Sequence, residues 1–180
     1  MMDLQKIANE YWTNGCAVIP SFLSDAEISA LQAEMAAIVR RLAATDQNLS
    51  VFETGANQTG DDHFINSGDQ IRLFYEKDAF DSEGKMTLPL DQSVNKVGHA
   101  LHWLNPAFKR VTFGEKVAAV VRQVARFERP TVPQSMYIYK NARIGGEVVP
   151  HQDASFLHTK PEIKLMGLWM PLEDTTLENG

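Results

Sequence analysis

The stretch Pro150-His151-Gln152-Asp153-Ala154-Ser155 closes an apolar run and sets an imidazole and a carboxylate two residues apart. In an extended chain alternate side chains project to the same side, so His151 and Asp153 share a face while Gln152 points elsewhere. Such a pair supplies two of the three protein ligands of a 2-His-1-carboxylate facial triad, a donor set that leaves positions open on non-haem Fe(II). A hydrogen-bonded His-Asp pair at a strand end is the alternative, and spacing alone does not separate the two.

The remaining reactive side chains form weaker patterns. His99 and His102 are three apart, hence neighbours if Gly98-His99-Ala100-Leu101-His102 is helical, and a metal bridging them competes with histidines that face solvent or bond a carbonyl. His63 and His158 sit in polar segments without acidic or histidine neighbours at ligand spacing. No serine stands in a Gly-x-Ser-x-Gly elbow. Gly145-Gly146 reads as a turn, because no Gly-x-Gly-x-x-Gly or Walker pattern leads into a helix. Cys16, the one cysteine, has no disulfide partner and no flanking pattern for nucleophilic catalysis.

These residues belong to a chain of 180 residues, the length of one domain, with 44% hydrophobic and 22% charged residues. That mixture folds around a core and excludes a fibrous repeat or a disordered tail. A net charge of -6 gives phosphate backbones no general attraction, so neither nucleic acid nor an anionic membrane is an expected partner. The single cysteine fits a reducing, intracellular setting, and no signal peptide or membrane span is visible.

The elements that must position the His-Asp pair are partly legible. Leu4, Ile7, Ala8, Tyr11 and Trp12 recur at helical spacing behind Asp3, with Asn14-Gly15 as the stop. Cys16 to Ile19 reads as a short buried strand before Pro20. Ser24-Asp25-Ala26-Glu27 has the form of a capping box, and Ile28, Leu31, Met35, Ile38, Val39 and Leu42 carry one helical face to about Ala44. Residues 45 to 69 read as a long polar loop, a common border of sites and the expected place for substrate-gripping residues. Gln70 to Glu76 alternates as a strand, and Asp81 to Gly84 is a turn. Val94, Val97, Leu101 and Leu104 have helical spacing, as do Val117, Val120, Val121 and Val124 within a helix from Glu115 to Ala125. From Gln134 onward strands are predicted over 134–140, 148–153 and 163–172. Helices first and sheet afterwards predict an α+β fold, with helices packed on a mainly antiparallel sheet.

Three stretches, Gln134 to Lys140, Gly145 to Phe156 and Gly167 to Gly180, together resemble the phytanoyl-CoA dioxygenase family. Supporting likeness lies in Phe22-Leu23-Ser24, in Ser67-Gly68-Asp69-Gln70-Ile71-Arg72 and in Asn95-Lys96-Val97-Gly98-His99-Ala100-Leu101-His102. The resemblance implies an Fe(II)- and 2-oxoglutarate-dependent oxygenase acting with O₂ on a small molecule. Its implied fold is a double-stranded β-helix, the cupin-like jelly roll, behind N-terminal helices. It implies His151 and Asp153 as iron ligands, and Lys96, Met136 and Trp169 as contacts to 2-oxoglutarate.

The ammonium of Lys96 suits a carboxylate, while Met136 and Trp169 would wall the cosubstrate from water. Taken singly, each has a plainer reading: Lys96 as a solvated helix residue, Met136 and Trp169 as core. The family pattern continues past Gly180 into strands with a distal iron-binding histidine and a 2-oxoglutarate-binding arginine, so residues 1–180 are expected to be one incomplete domain: a mainly helical part over 1–130 and the first jelly-roll strands over 131–180. His102 or His158 as a substitute third ligand, and an inactive fragment that binds a partner through its sheet edge, are the competing expectations.

Overall fold

Ser24 opens the longest helix: its hydroxyl accepts from the Glu27 N–H at 3.3 Å while Glu27 Oε2 accepts from the Ser24 N–H at 2.8 Å. Two of the helix's unpaired N-terminal donors are satisfied in this way. In the computed structural model, which describes residues 2–46, 48–52 and 61–179, this helix is α2 (Asp25–Thr45). It follows α1 (Leu4–Asn14), which starts at the Asp3 cap and stops at Gly15, whose φ of 78° is left-handed.

A three-stranded antiparallel sheet has the order β1 (Ile71–Tyr75), β2 (Val94–His99), β3 (Ser135–Ile138). Short helices frame it: α3 (Asp62–Ile65), α4 (Leu90–Ser93), α5 (Leu101–Leu104), α6 (Pro106–Thr112) and α7 (Glu115–Ala119), the last running on as a π-helical turn over Val120–Val124. Met35, Ile38 and Val39 of α2 pack on Leu73, Tyr75, Val94 and Val97, forming the main core under one sheet face. A second cluster joins Ile7 and Ala8 to Val120 and Val124. There the indole N–H of Trp12 donates to the Val124 carbonyl at 2.8 Å, satisfying one of the acceptors that a helix end leaves open.

The two long helices, the 71–75 strand, the Asp81 to Gly84 turn and a strand at 135–138 match the sequence reading. The expected separation of helices from sheet does not, since two of the three strands precede α6. Val94 to His99 is the central strand and not a helix. Its pairing slips by one between Phe74 opposite Lys96 and Tyr75 opposite Val94, which leaves Asn95 as a bulge. A bulge lets residues three apart point to one face, so Val94 and Val97 imitate helical spacing.

Cys16 to Ile19 has no strand partner among the described residues and exposes Val18. The strands expected over 148–153 and 163–172 are irregular, with one 3-10 turn over Asp153–Ser155. An apolar run becomes a strand only where a neighbour completes its ladder, and no such neighbour lies among the described residues. Of the 45–69 loop, residues 47 and 53–60 lie outside the described part. Among the described residues no helix is long and apolar enough to cross a membrane.

Ile38 is fully buried between α2 and the sheet. Ile38→Ala should lower unfolding free energy by about 2–5 kcal/mol, as cavity-forming core truncations do. Urea unfolding followed by circular dichroism measures it, and a loss within the error of the method would show that α2 and the sheet do not share one cooperative core.

Candidate functional site

Two groups of residues hold the chemistry. The first lies on the sheet face opposite α2. Lys96 is at the middle of β2, paired with Phe74 of β1 and Ile138 of β3. It is only 6% exposed. Its Nζ stands 2.9 Å from the ring centroid of Phe52, 5.2 Å from that of Phe64 and 5.6 Å from that of Phe74. Phe52 reaches that position because residues 50–52 run beside β1: the Tyr75 N–H donates to the Ser50 carbonyl and the Phe52 N–H to the Tyr75 carbonyl, both at 2.9 Å. Phe64 is delivered by α3. Among the described residues no carboxylate or hydrogen-bond acceptor meets the ammonium.

Burial away from water pushes the lysine down to about 7 from its ordinary 10.5. The ring faces attract a cation and oppose that shift in part. His99 packs edge-on against Phe64, and its Nδ1 lies 2.7 Å from Ser67 Oγ. That hydroxyl donates to the Phe64 carbonyl, so Nδ1 is the donor to it. Burial, then the charge of Lys96, pushes His99 down to about 4. His63 is buried as well: its Nε2 has no hydrogen-bond partner among the described residues and lies 4.0 Å from Asp46 Oδ2.

Met136 pairs with Gly98 across β2 and β3, so it shares the face of Lys96. A Cβ on Gly98 would come within 3.3 Å of Met136 Cγ, which makes glycine the residue that lets the thioether lie over the strand. Met136 is 41% exposed, and Ile138 beside it is similarly open.

The second group is the His-Asp pair. His151 Nδ1 is 2.8 Å from the Val149 carbonyl. A carbonyl only accepts, so Nδ1 carries the hydrogen and the neutral ring turns a lone pair out at Nε2. That Nε2 stands 3.4 Å from Asp153 Oδ1, and both side chains are half exposed. Two electron-pair donors this close repel unless a proton or a cation lies between them. The pair therefore suits the shared coordination of a metal, and equally an ion pair when the imidazole is protonated. Among the described residues no third His, Cys, Asp or Glu completes a ligand group with them.

Lys96 and Met136 are thus brought to one face, and His151 and Asp153 to each other. No hydrogen bond, ion pair or ring contact among the described residues links the two groups. Trp169, 72% exposed in the irregular C-terminal segment, joins neither and is not core. Lys96 is a buried strand residue, not a solvated helical one. His99 and His102 are not neighbours on a helix: one ends β2 at Ser67, while the other lies in α5 with Nδ1 2.8 Å from Ser135 Oγ. The phenyl rings about Lys96 and the burial of His63 escape a sequence reading, since Phe52, Phe64 and Phe74 show no common period.

Comparison with known proteins agrees with the sequence likeness. The family described as Phytanoyl-CoA dioxygenase (PhyH) matches residues 11–180. "Phytanoyl-CoA dioxygenase domain-containing protein 1" of Bos taurus is 43% identical over 176 residues, covering 95% of this chain and 60% of the relative. Its homolog from Caenorhabditis elegans is 35% identical over 100% of this chain and 62% of its own length. A "Phytanoyl-CoA dioxygenase" of Arabidopsis thaliana is 42% identical over 94% of this chain and 59% of its own length. The chain spans about 60% of the length of the curated relatives it matches. With a family match over nearly its whole length, this chain belongs to the phytanoyl-CoA dioxygenase (PhyH) family.

Proposed function

We propose that this chain carries the iron-binding and cosubstrate-binding portion of an Fe(II)- and 2-oxoglutarate-dependent hydroxylase of a small molecule, built on a jelly-roll framework. The observation that carries the reading is the convergence of His151 Nε2 and Asp153 Oδ1 at 3.4 Å, with the Val149 carbonyl holding the tautomer that a metal requires. Iron held there would supply the redox chemistry, in which 2-oxoglutarate and O₂ become succinate and CO₂ and one oxygen atom enters a C–H bond of the substrate.

The protein's own residues bind and orient. Lys96 offers a cation with no competing carboxylate among the described residues, so a carboxylate of 2-oxoglutarate gains both charge pairing and relief of the lysine's desolvation. The phenyl rings keep water from that contact, and Met136 lies on the same face. Trp169 is assigned as a further wall of the cosubstrate on the family likeness alone.

Titration with Co(II) and with 2-oxoglutarate, comparing the wild-type chain with His151→Ala, tests the assignment. Loss of a ligand should weaken Co(II) by at least about tenfold, whereas equal affinity would remove the metal site. A second reading, an inactive interaction module, is favoured by one observation: among the described residues β3 pairs on one side only, and it exposes Met136 and Ile138. Succinate formation from 2-oxoglutarate by the purified chain excludes it.

The lysine makes a separate prediction. Unfolded, it titrates near 10.5, and folded, near 7. Between these values the unfolded chain binds the extra proton, so stability rises as pH is raised from 7 towards 10.5. Lys96→Met should abolish that rise and stabilise the ligand-free chain at pH 7 on the order of a few kcal/mol. The carboxylate-binding contribution has the opposite sign: affinity for 2-oxoglutarate falls above pH 7, by at most about tenfold per pH unit. Thermal unfolding and calorimetry across pH 6 to 10 measure the two, and a flat affinity profile would take Lys96 out of the cosubstrate site.

A further inference from the structure

Glu76 is a buried side chain that neither the core nor the proposed ligand set explains. It follows β1 directly and is 2% exposed. Its Oε2 accepts a hydrogen bond from the backbone N–H of Gly146 at 3.2 Å, while its Oε1 is buried without a hydrogen-bond partner among the described residues. A carboxyl group that leaves half its acceptor capacity unused in the interior costs free energy, and an apolar side chain of equal volume would cost less. A role as filler therefore does not account for it.

What the carboxyl group accomplishes is attachment. The chain leaves β3 through two contacts with β2: the Tyr139 N–H donates to the Asn95 carbonyl at 2.8 Å, and the Asn141 side-chain amide donates to the Val94 carbonyl at 2.6 Å. A turn follows, closed by the Gly145 N–H on the Asn141 carbonyl. Then comes the Gly146 bond to Glu76, which among the described residues is the last hydrogen bond from the sheet region to the chain before His151. Glu76 is itself held, its N–H donating to the Ser93 carbonyl at 2.9 Å.

We propose that Glu76 is a positioning residue for the His151–Asp153 pair, holding Gly146 and so fixing the origin of the short span that carries the imidazole. The inference rests on the reading of His151 and Asp153 as metal ligands. Gly146 and His151 are five Cα–Cα steps apart, a reach of about 17 Å at most, against about 34 Å for the ten steps from Asn141. Without the Glu76 bond the start of the span is held only by the turn itself, through the Gly145 N–H on the Asn141 carbonyl and the Lys140 ammonium, whose Nζ lies 3.4 Å from the Gly146 carbonyl. When that turn opens as well the unanchored span doubles, which loop entropy makes worth up to about threefold in the chance that the pair meets a metal correctly placed on the scaffold.

The test is a Co(II) titration of the 180-residue chain, read by visible absorption, on wild type, Glu76→Met, Glu76→Gln and His151→Ala, with thermal unfolding in parallel. Methionine fills the same volume without an acceptor, while the glutamine carbonyl still accepts from Gly146. Glu76→Met should bind Co(II) about two- to threefold more weakly while unfolding at the wild-type temperature or above it, as removal of a half-satisfied buried carboxyl group allows. Glu76→Gln should bind as wild type.

Wild-type affinity in Glu76→Met, beside lost binding in His151→Ala, would overturn the positioning role and leave the ligand assignment standing. Equal weakening in the methionine and glutamine variants would also overturn it, since the hydrogen bond to Gly146 would not be what matters. Undiminished binding in His151→Ala would overturn the ligand assignment, and the positioning role with it.

Discussion

A primary ammonium at the middle of a fully buried strand is the constraint around which the sheet is arranged. Once removed from water, such a group must find an anion, find ring faces or give up its proton. Lys96 has the rings of Phe52, Phe64 and Phe74 and among the described residues no anion. His99 on the same strand is held neutral by the same surroundings, since burial and the lysine's charge both act against its protonation. An incoming carboxylate would reverse this balance. The chain's net charge of -6 offers such a ligand no long-range attraction. Within a screening length of about 8 Å at physiological salt, however, the local site decides. Recognition of a dicarboxylate would thus depend on contact with Lys96 rather than on steering.

The regular pairing of β2 aims that lysine: Lys96 and Gly98 share a face with their partners Phe74 and Met136, and Val97 takes the other face with Leu73. The bulge at Asn95, by slipping the register between Phe74 and Tyr75, adds Val94 to the core face beside Val97 and α2. Asn95 itself lies beside the corner where Glu76 meets Gly146. Bulges commonly re-aim side chains next to sites in this way.

How much of this was legible in the sequence follows from how local each signal is. α2 was readable because its capping box and its buried face are contained in one continuous stretch, from Ser24 to Thr45. β2 was misread because a bulged central strand, buried on both sides, has neither the alternation of a half-exposed strand nor a true helical period. The runs at 148–153 and 163–172 have strand composition, but pairing is not a property of one segment, and no partner strand meets them among the described residues. Of the candidate site residues, the closeness of His151 and Asp153 is legible because two residues of separation suffice to bring their side chains together. Lys96, Met136 and Trp169 came from family likeness, and only the first two share a face here. The rings around Lys96 and the Glu76 to Gly146 bond join residues far apart in the chain, and no spacing rule reaches them.

The exposure of His151 and Asp153 sharpens what the scaffold must provide. In water each donor is well hydrated, so a cation exchanging its own water for one imidazole and one carboxylate gains little unless the two are already in place. Three features reduce that cost: the Val149 carbonyl selects the tautomer, the short turn at Asp153–Ser155 aims the carboxylate, and the separation of 3.4 Å spares a large rearrangement. None of them fixes the pair relative to the sheet that carries Lys96. If, as proposed, a keto acid is held by both groups, the distance between them matters as much as the order within each. That distance depends on the connection from β3 to His151, and the buried end of that connection is the Glu76 carboxyl group, with one oxygen bonded to Gly146 and the other without a hydrogen-bond partner among the described residues.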